Sequence, residues 1–285
     1  MSATVLDVTP EEYRSDPLPV PSLNQSVAHT LVTRSPAHAW LQHPKLGGVP
    51  TLVTPVMDAG SLLHRLVLGA GSDIAVVDAK DWRKKVSRQE RELARAEKRI
   101  PCLKPHYDSA CALAETVARR LNGMGIRLSG TSEVCIAWDE PSSRGPVACR
   151  GMLDHAIVDL RSATIYDLKT CKDSSPRAIG RSAVDNGHDI QGEAYRRAIE
   201  ALHPELCGRV DVVFIYVETE PPHCVTAARP DGVMRELGLS KWRRAVELWA
   251  KCLAENSWPG YATEIVPLEA PPWALSGEML LDSVD

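Results

Sequence analysis

No stretch of the 285-residue chain approaches the roughly 18 consecutive apolar residues that a bilayer-spanning helix needs. The segment from Met1 to Tyr13 likewise lacks a basic region followed by an apolar run, so neither a membrane span nor a secretory leader is expected. The eight cysteines, Cys102, Cys111, Cys135, Cys149, Cys171, Cys207, Cys224 and Cys252, never fall as a C-x-x-C pair. That spacing argues against a zinc ribbon and against a disulfide scaffold, and the expected setting is a reducing cytoplasm. A bulk positive charge is missing too. With a formal net charge of -4 the chain is no polycation that coats nucleic acid by general attraction, so any binding of DNA must come from local patches. No internal repeat is found.

What is present suffices for one large core, since 44% of the residues are hydrophobic. The first twenty residues, ending in Asp-Pro-Leu-Pro-Val-Pro, are Pro-rich and acidic and read as an extended lead-in. Residues 21–285 then read as a single domain in three parts. Residues 21–125 are mostly helical, 126–230 form a sheet core, and 231–285 supply a C-terminal helix and tail. Ser22 is the expected N-cap of a helix to about Val32, and Ser35-Pro36 caps and opens a second. Leu62, Leu63, Leu66 and Val67 recur at helical spacing around His64, and Gly69 closes that helix. Strands are predicted at Glu133–Trp138, Val147–Val158 and Thr164–Leu168, the last two forming a hairpin that turns near Leu160-Arg161. A helix from His188 to Leu202, a buried strand over Val210–Val217, an edge strand at His223–Ala228 and a long helix over Val233–Glu255 follow, and a Pro-rich tail runs from Trp258 to Trp273. The order implies a mixed α/β fold, a central mixed sheet with helices on both faces.

One local patch breaks the acidic balance. Between residues 83 and 99 there are eight Lys or Arg against three Glu. Lys84, Arg88, Arg91, Arg95 and Lys98 form one stripe of a predicted helix, with Val86, Leu93, Ala96 and Ile100 on the other side. The stripe reads either as a solvated face laced by ion pairs or as a rail for a phosphate backbone. Arg34, beside Ser35, reads either as a surface arginine or as a planar fork for a 5′-phosphate.

The chemistry concentrates on the hairpin. Alternation along a strand puts Asp167 and Lys169 on one face, with Tyr166 and Leu168 on the other, and a turn near Leu160-Arg161 brings Asp154 opposite Asp167. Two carboxylates this close repel unless a cation lies between them. Asp side chains with the Leu168 carbonyl form a hard-oxygen set suited to Mg²⁺, with Mn²⁺ as substitute. Such an ion polarises a phosphate and acidifies a water, while Lys169 orients the nucleophile and offsets charge building on phosphorus. Taken alone, an Asp-x-Lys triplet is more often a surface ion pair. Its company raises it: Gly151-Met152-Leu153-Asp154, Asp167-Leu168-Lys169-Thr170, then Gln191 and Tyr195 one helical turn apart.

In these blocks the chain resembles the PD-(D/E)xK nuclease superfamily, in particular its RecB-like branch with G-x-x-D, (D/E)-x-K and Q-x-x-x-Y. Ser-Pro-Ala-His at 35 to 38, Gly60-Ser61-Leu62-Leu63-His64 and Trp258-Pro259-Gly260-Tyr261 extend the likeness to the phage RecE-type and lambda-type exonucleases, over about Ser22 to Trp273. The resemblance implies that Asp154 and Asp167 bind metal and that Lys169 is the catalytic lysine. It implies that Glu133 and His64 complete the metal site and that Gln191 and Tyr195 brace the site and substrate strand. It further implies a 5′ to 3′ exonuclease on linear double-stranded DNA that leaves 3′ overhangs, works as a ring-shaped homo-oligomer and serves recombination beside a single-strand annealing protein. Iron–sulfur relatives of the branch place a closely spaced cysteine cluster late. The late cysteines here are scattered, and no such cluster is expected. The chain departs from the family pattern at Leu153, where a proline is usual, and at Asp167, where Glu is commoner. A catalytically silent DNA-binding scaffold and a structure-specific endonuclease are the competing readings.

Overall fold

A computed structural model describes residues 3–49 and 54–270 of the chain. The strands are β1 (Thr4–Leu6), β2 (Ile74–Val77), β3 (Ile100–Leu103), β4 (Thr131–Glu140), β5 (Val147–Val158), β6 (Ala163–Cys171), β7 (Val210–Glu218) and β8 (Val225–Ala228). The helices are α1 (Pro10–Arg14), α2 (Gln25–Thr33), α3 (Pro36–Gln42), α4 (Pro55–Leu68), α5 (Lys85–Ala96), α6 (Lys104–Gly123), α7 (Pro176–Asp185), α8 (His188–Leu202) and α9 (Gly232–Glu255). A six-stranded sheet runs in the order β1-β4-β5-β6-β7-β8, and β2 and β3 form a small parallel pair apart from it. Only the β6–β7 pairing of the large sheet is parallel, so the sheet is mixed as the element order implied. The β6–β7 crossover carries α7 and α8, because a parallel connection needs a long return path.

Both faces of the sheet are covered. On one lie α2, α8 and α9, and here Ile165 of β6 and Phe214 of β7 meet Ile190, Ala194 and Ala198 of α8 and the buried Trp242 and Trp249 of α9. On the other, Leu168, Ile215 and Val217 pack against Leu63 of α4 and Val117 and Leu121 of α6. Strand alternation produces this division: Ile165 belongs to the α8 face and Leu168 to the α4–α6 face.

Several expectations change. The first helix is capped by Asn24, whose side chain accepts from the Val27 N–H, and Ser22 lies buried in a different network. The lead-in is part of the sheet, with β1 antiparallel to β4. Ile100 starts β3 instead of ending a helix, and α7 occupies a stretch where no element is predicted. Ser35 caps α3 as expected, and Gly69, at φ 68, closes α4 in the left-handed region that glycine tolerates. The tail lies against the domain near its start, where the Ala37 N–H donates to the Pro259 carbonyl and Trp258 stacks edge-on against Trp249. Trp273, the expected end of that tail, lies outside the described residues.

A buried ionic network holds the lead-in down. Asp16, its side chain fully enclosed, accepts at Oδ2 from the Ser22 N–H at 2.8 Å and at Oδ1 from the Ser22 hydroxyl at 2.7 Å. His43 Nε2 lies 3.1 Å and Arg150 Nη1 3.2 Å from Oδ2. Arg150 also donates to the Tyr13 carbonyl at 3.2 Å, with its guanidinium over the Tyr13 ring. Burial alone would raise the carboxyl pKa of Asp16. The His43 hydrogen bond, the Arg150 charge and the two Ser22 donors outweigh it, and the value falls below the usual carboxylate range.

Candidate active site

The hairpin brings its two acids together. The β5–β6 ladder ends at the pair His155 and Tyr166; one step further, Asp154 and Asp167 face each other across the parting strands. There the Leu168 N–H, instead of continuing the ladder, donates to Asp154 Oδ2 at 2.8 Å. The Leu168 carbonyl accepts from His64 Nε2 of α4 at 2.8 Å, and His64 Nδ1 stands 3.4 Å from Asp154 Oδ2. Both ring nitrogens of His64 thus face oxygen acceptors.

Asp167 is wholly buried. Its Oδ2 accepts from Gln191 Nε2 at 2.8 Å, and Gln191 also donates to the Tyr195 hydroxyl at 3.0 Å. Its Oδ1 lies 2.6 Å from Lys169 Nζ in an ion pair, and among the described residues no other group donates to it. Burial, then repulsion from Asp154, raises the Asp167 pKa against the pull of Lys169 and His64. Burial also drives the Tyr195 phenol well above its ordinary value, so it works as a neutral hydroxyl. Gly151, the first residue of G-x-x-D, lies under the Tyr195 ring: a Cβ there would stand 3.4 Å from that ring and 3.5 Å from Trp138, an ordinary packing contact.

One residue of the site is absent from the sequence motifs. His188 packs behind Lys169, its Nδ1 2.9 Å from the Tyr216 hydroxyl and its ring stacked on Phe214, whose ring lies 5.9 Å from Lys169 Nζ. Burial and then the Lys169 charge push its pKa down to about 4. A signal for it exists, because His188, Gln191 and Tyr195 fall at i, i+3 and i+7 on one helix face.

The remaining expected residues are placed differently. Glu133 is skipped in the β4–β5 ladder, between the pairs Ser132–His155 and Val134–Leu153; its backbone is left-handed at φ 56 and its carboxylate lies against Gly71, 3.0 Å from where a Cβ there would be. Arg34 is exposed at the C-cap of α2. Of the basic stripe, Arg95 pairs with Asp58 at 2.8 Å, Lys98 with Glu11 at 3.1 Å, and Arg91 lies over the Trp82 ring. Lys84 and Arg88 are exposed. The side of α5 expected to be apolar is not buried. Val86 is 63% and Leu93 59% exposed, while the small residues Ser87 and Ala94 make the packed face.

Among the described residues, no three His, Cys, Asp or Glu side chains stand close enough together to hold a metal ion by themselves. A divalent cation nevertheless fits the donors at hand. Two facing carboxylates, of which Asp154 raises the pKa of Asp167, and a peptide carbonyl beside them form a hard-oxygen set in which two negative charges share the one Lys169 ammonium.

This sheet, parted at a hairpin that presents acid, acid and lysine, defines a PD-(D/E)xK nuclease fold. The chain belongs to the family described as PDDEXK-like domain of unknown function (DUF3799), whose model matches residues 33–269. Among solved structures, it is similar to a protein described as a candidate exonuclease from Eubacterium rectale, with a TM-score of 0.63 and 13% identity over 95% of this chain and 98% of that one. A phage-related exonuclease from Haemophilus somnus 129PT aligns at a TM-score of 0.33 and 13% identity, over 83% of this chain and 96% of that one. No curated protein matches the chain by sequence. Among the described residues no helix is long and apolar enough to cross a membrane.

Proposed function

We propose that the protein is a divalent-metal-dependent exonuclease that hydrolyses phosphodiester bonds of linear double-stranded DNA. The observation that carries this reading is Asp167: a fully buried carboxylate, ion-paired with Lys169, whose pKa is raised by burial and by a second carboxylate facing it. Lys169 offsets one of the two facing carboxylates, and the second negative charge of the pair is what a divalent cation would meet.

Asp154, Asp167 and the Leu168 carbonyl would hold Mg²⁺ or Mn²⁺, with His64 beside them. When bound, the ion supplies Lewis-acid polarisation of the phosphate and lowers the pKa of a water. The chain's own residues do the rest. Lys169, held by Asp167 and resting on Phe214, orients the attacking water and offsets negative charge developing on phosphorus. Gln191 fixes the Asp167 rotamer through one N–H and reaches the Tyr195 hydroxyl, so both brace the acid from α8. End-directed action, 5′ to 3′ polarity, a ring-shaped oligomer and a recombination role beside an annealing protein extend this reading through the phage-exonuclease motifs of the sequence.

Linear duplex DNA labelled at the 5′ or the 3′ ends, digested with and without Mg²⁺ beside a closed-circular control, tests it. Metal-dependent loss of label from 5′ ends with circles intact is expected, and Lys169→Ala is expected to slow cleavage by about 10²–10⁴-fold. Nicked circles would replace the exonuclease with an endonuclease. Absence of cleavage in Mg²⁺ and in Mn²⁺, or full activity of Lys169→Ala, would overturn the mechanism.

A further inference from the structure

The catalytic strand leads directly into α7, which carries Arg177 and Arg181 one turn apart on its exposed side. The connection is fixed. The buried Ser174 donates its N–H at 2.8 Å and its hydroxyl at 3.1 Å to Glu218 Oε1 at the end of β7, and the Ser175 side chain caps the helix. At its other end α7 passes through Asn186 and Gly187 into α8, where His188 backs Lys169 and Gln191 reaches Asp167. Both ends of α7 are therefore tied to the two elements that carry the site.

Lys172, Arg177 and Arg181 are exposed, and among the described residues their side chains have no ion pair, hydrogen bond or ring partner. The α5 stripe differs, since three of its five cations are already engaged by Asp58, Trp82 and Glu11. An unpaired guanidinium on a rigid helix keeps its planar fork of donors for a phosphate. The groove along α7 adds the Ser182 hydroxyl, which accepts from the Asn186 amide, and is bounded by Asp173 before the helix and Asp185 at its end. Its basic stretch is thus one helical turn long, a length that suits two adjacent phosphates and not an extended duplex track.

We infer that the α7 face, through Arg177 and Arg181 with Lys172 beside them, holds two consecutive backbone phosphates of the DNA strand whose end lies at Asp154, Asp167 and Lys169. This inference rests on the nuclease reading of that site. By gripping the strand one element away from the acids, α7 fixes its register during hydrolysis.

Equilibrium binding of a fluorescent linear duplex in chelator, where nothing is cleaved, measured between about 50 and 200 mM salt, tests it. The proteins compared are the wild type, Arg177→Glu/Arg181→Glu on α7 and Lys84→Glu/Arg88→Glu on α5. The α7 variant is expected to bind at least about 10-fold more weakly at low salt, and the slope of log K against log salt should be shallower by about 2, near 0.9 for each lost phosphate contact. The α5 variant should keep the wild-type slope. Arg177→Gln/Arg181→Gln carries the same expectation if charge reversal impairs folding, as judged by circular dichroism. A wild-type slope in the α7 variants would overturn the inference and leave the nuclease reading standing. Failure of the wild type to bind duplex DNA at any salt would overturn both.

Discussion

Two buried clusters in this protein have the same ingredients and opposite electrostatics. Each joins an aspartate with a fully enclosed side chain to a basic residue, with a histidine in the cluster: Asp16 with Arg150 and His43, Asp167 with Lys169 and, through the facing Asp154, His64. Around Asp16 every requirement is met: both oxygens accept hydrogen bonds, no second carboxylate intrudes, and the pKa falls. Around Asp167 a second acid faces the first, one oxygen is met by the Lys169 ammonium alone, and the pKa rises. Folding alone selects for the first arrangement. The second, two acids to one ammonium with a raised pKa, is the electrostatic pattern of a functional site, so that member of the pair is the one to read as functional.

The sharpest break in the comparison is removal of the acid from the satisfied cluster. Asp16→Ala leaves the Arg150 guanidinium buried without its carboxylate, and the expected loss is about 3–5 kcal/mol in chemical denaturation. Cleavage per folded molecule should persist, because Asp16 touches none of Asp154, Asp167 or Lys169. A variant as stable as the wild type would show that the network is replaceable.

The unsatisfied cluster should respond instead to its missing charge. Adding Mg²⁺ or Mn²⁺ at about 10–100 times its dissociation constant should stabilise the wild type by about 1–3 kcal/mol, read as a rise in melting temperature. Asp154→Asn should lose that rise together with cleavage. An equal metal shift in this variant would place the ion elsewhere.

The legible half of the molecule is the half set by local rules. Period-two alternation puts Asp167 and Lys169 on one face, and the hairpin's turn sets Asp154 opposite Asp167, so the sequence alone assembles the acid pair and its lysine. Helical spacing gives Gln191 and Tyr195 their shared face. The Asp16 network is invisible at that level, because Asp16 and Arg150 are joined by tertiary packing and no periodicity links positions so distant. The α5 helix misleads for a related reason: its pattern has a polar and an apolar side, but packing selects the small Ser87 and Ala94 and leaves Val86 and Leu93 outside. Helix α7 is a different case, since Ser175-Pro176 repeats the Ser35-Pro36 signal that locates α3. There the local rule does hold the information, because a serine cap and an N1 proline mark the start of the helix between the two motif blocks.

The smallest expected effect separates the clusters by sign. A carboxyl whose folded pKa is depressed contributes stability that is present above its unfolded value of about 4 and is lost as pH falls through the folded value. Asp16 is such a group, so the stability gap between wild type and Asp16→Asn should be widest at neutral pH and narrow below about pH 4. A raised folded pKa has the opposite consequence. In chelator the ionised Asp167 costs stability at neutral pH, and the cost fades as pH falls through its folded value because the native state takes up the proton first. Asp154→Asn removes one source of that cost and should therefore be more stable than the wild type at neutral pH, by about 1 kcal/mol, with the advantage disappearing on acidification. Comparing variants cancels the contribution of His188, whose depressed pKa weakens every form alike as pH falls below about 6.5. Two difference curves that bend the same way would show that the clusters are electrostatically equivalent, and the contrast between a finished network and an unfinished one would fail.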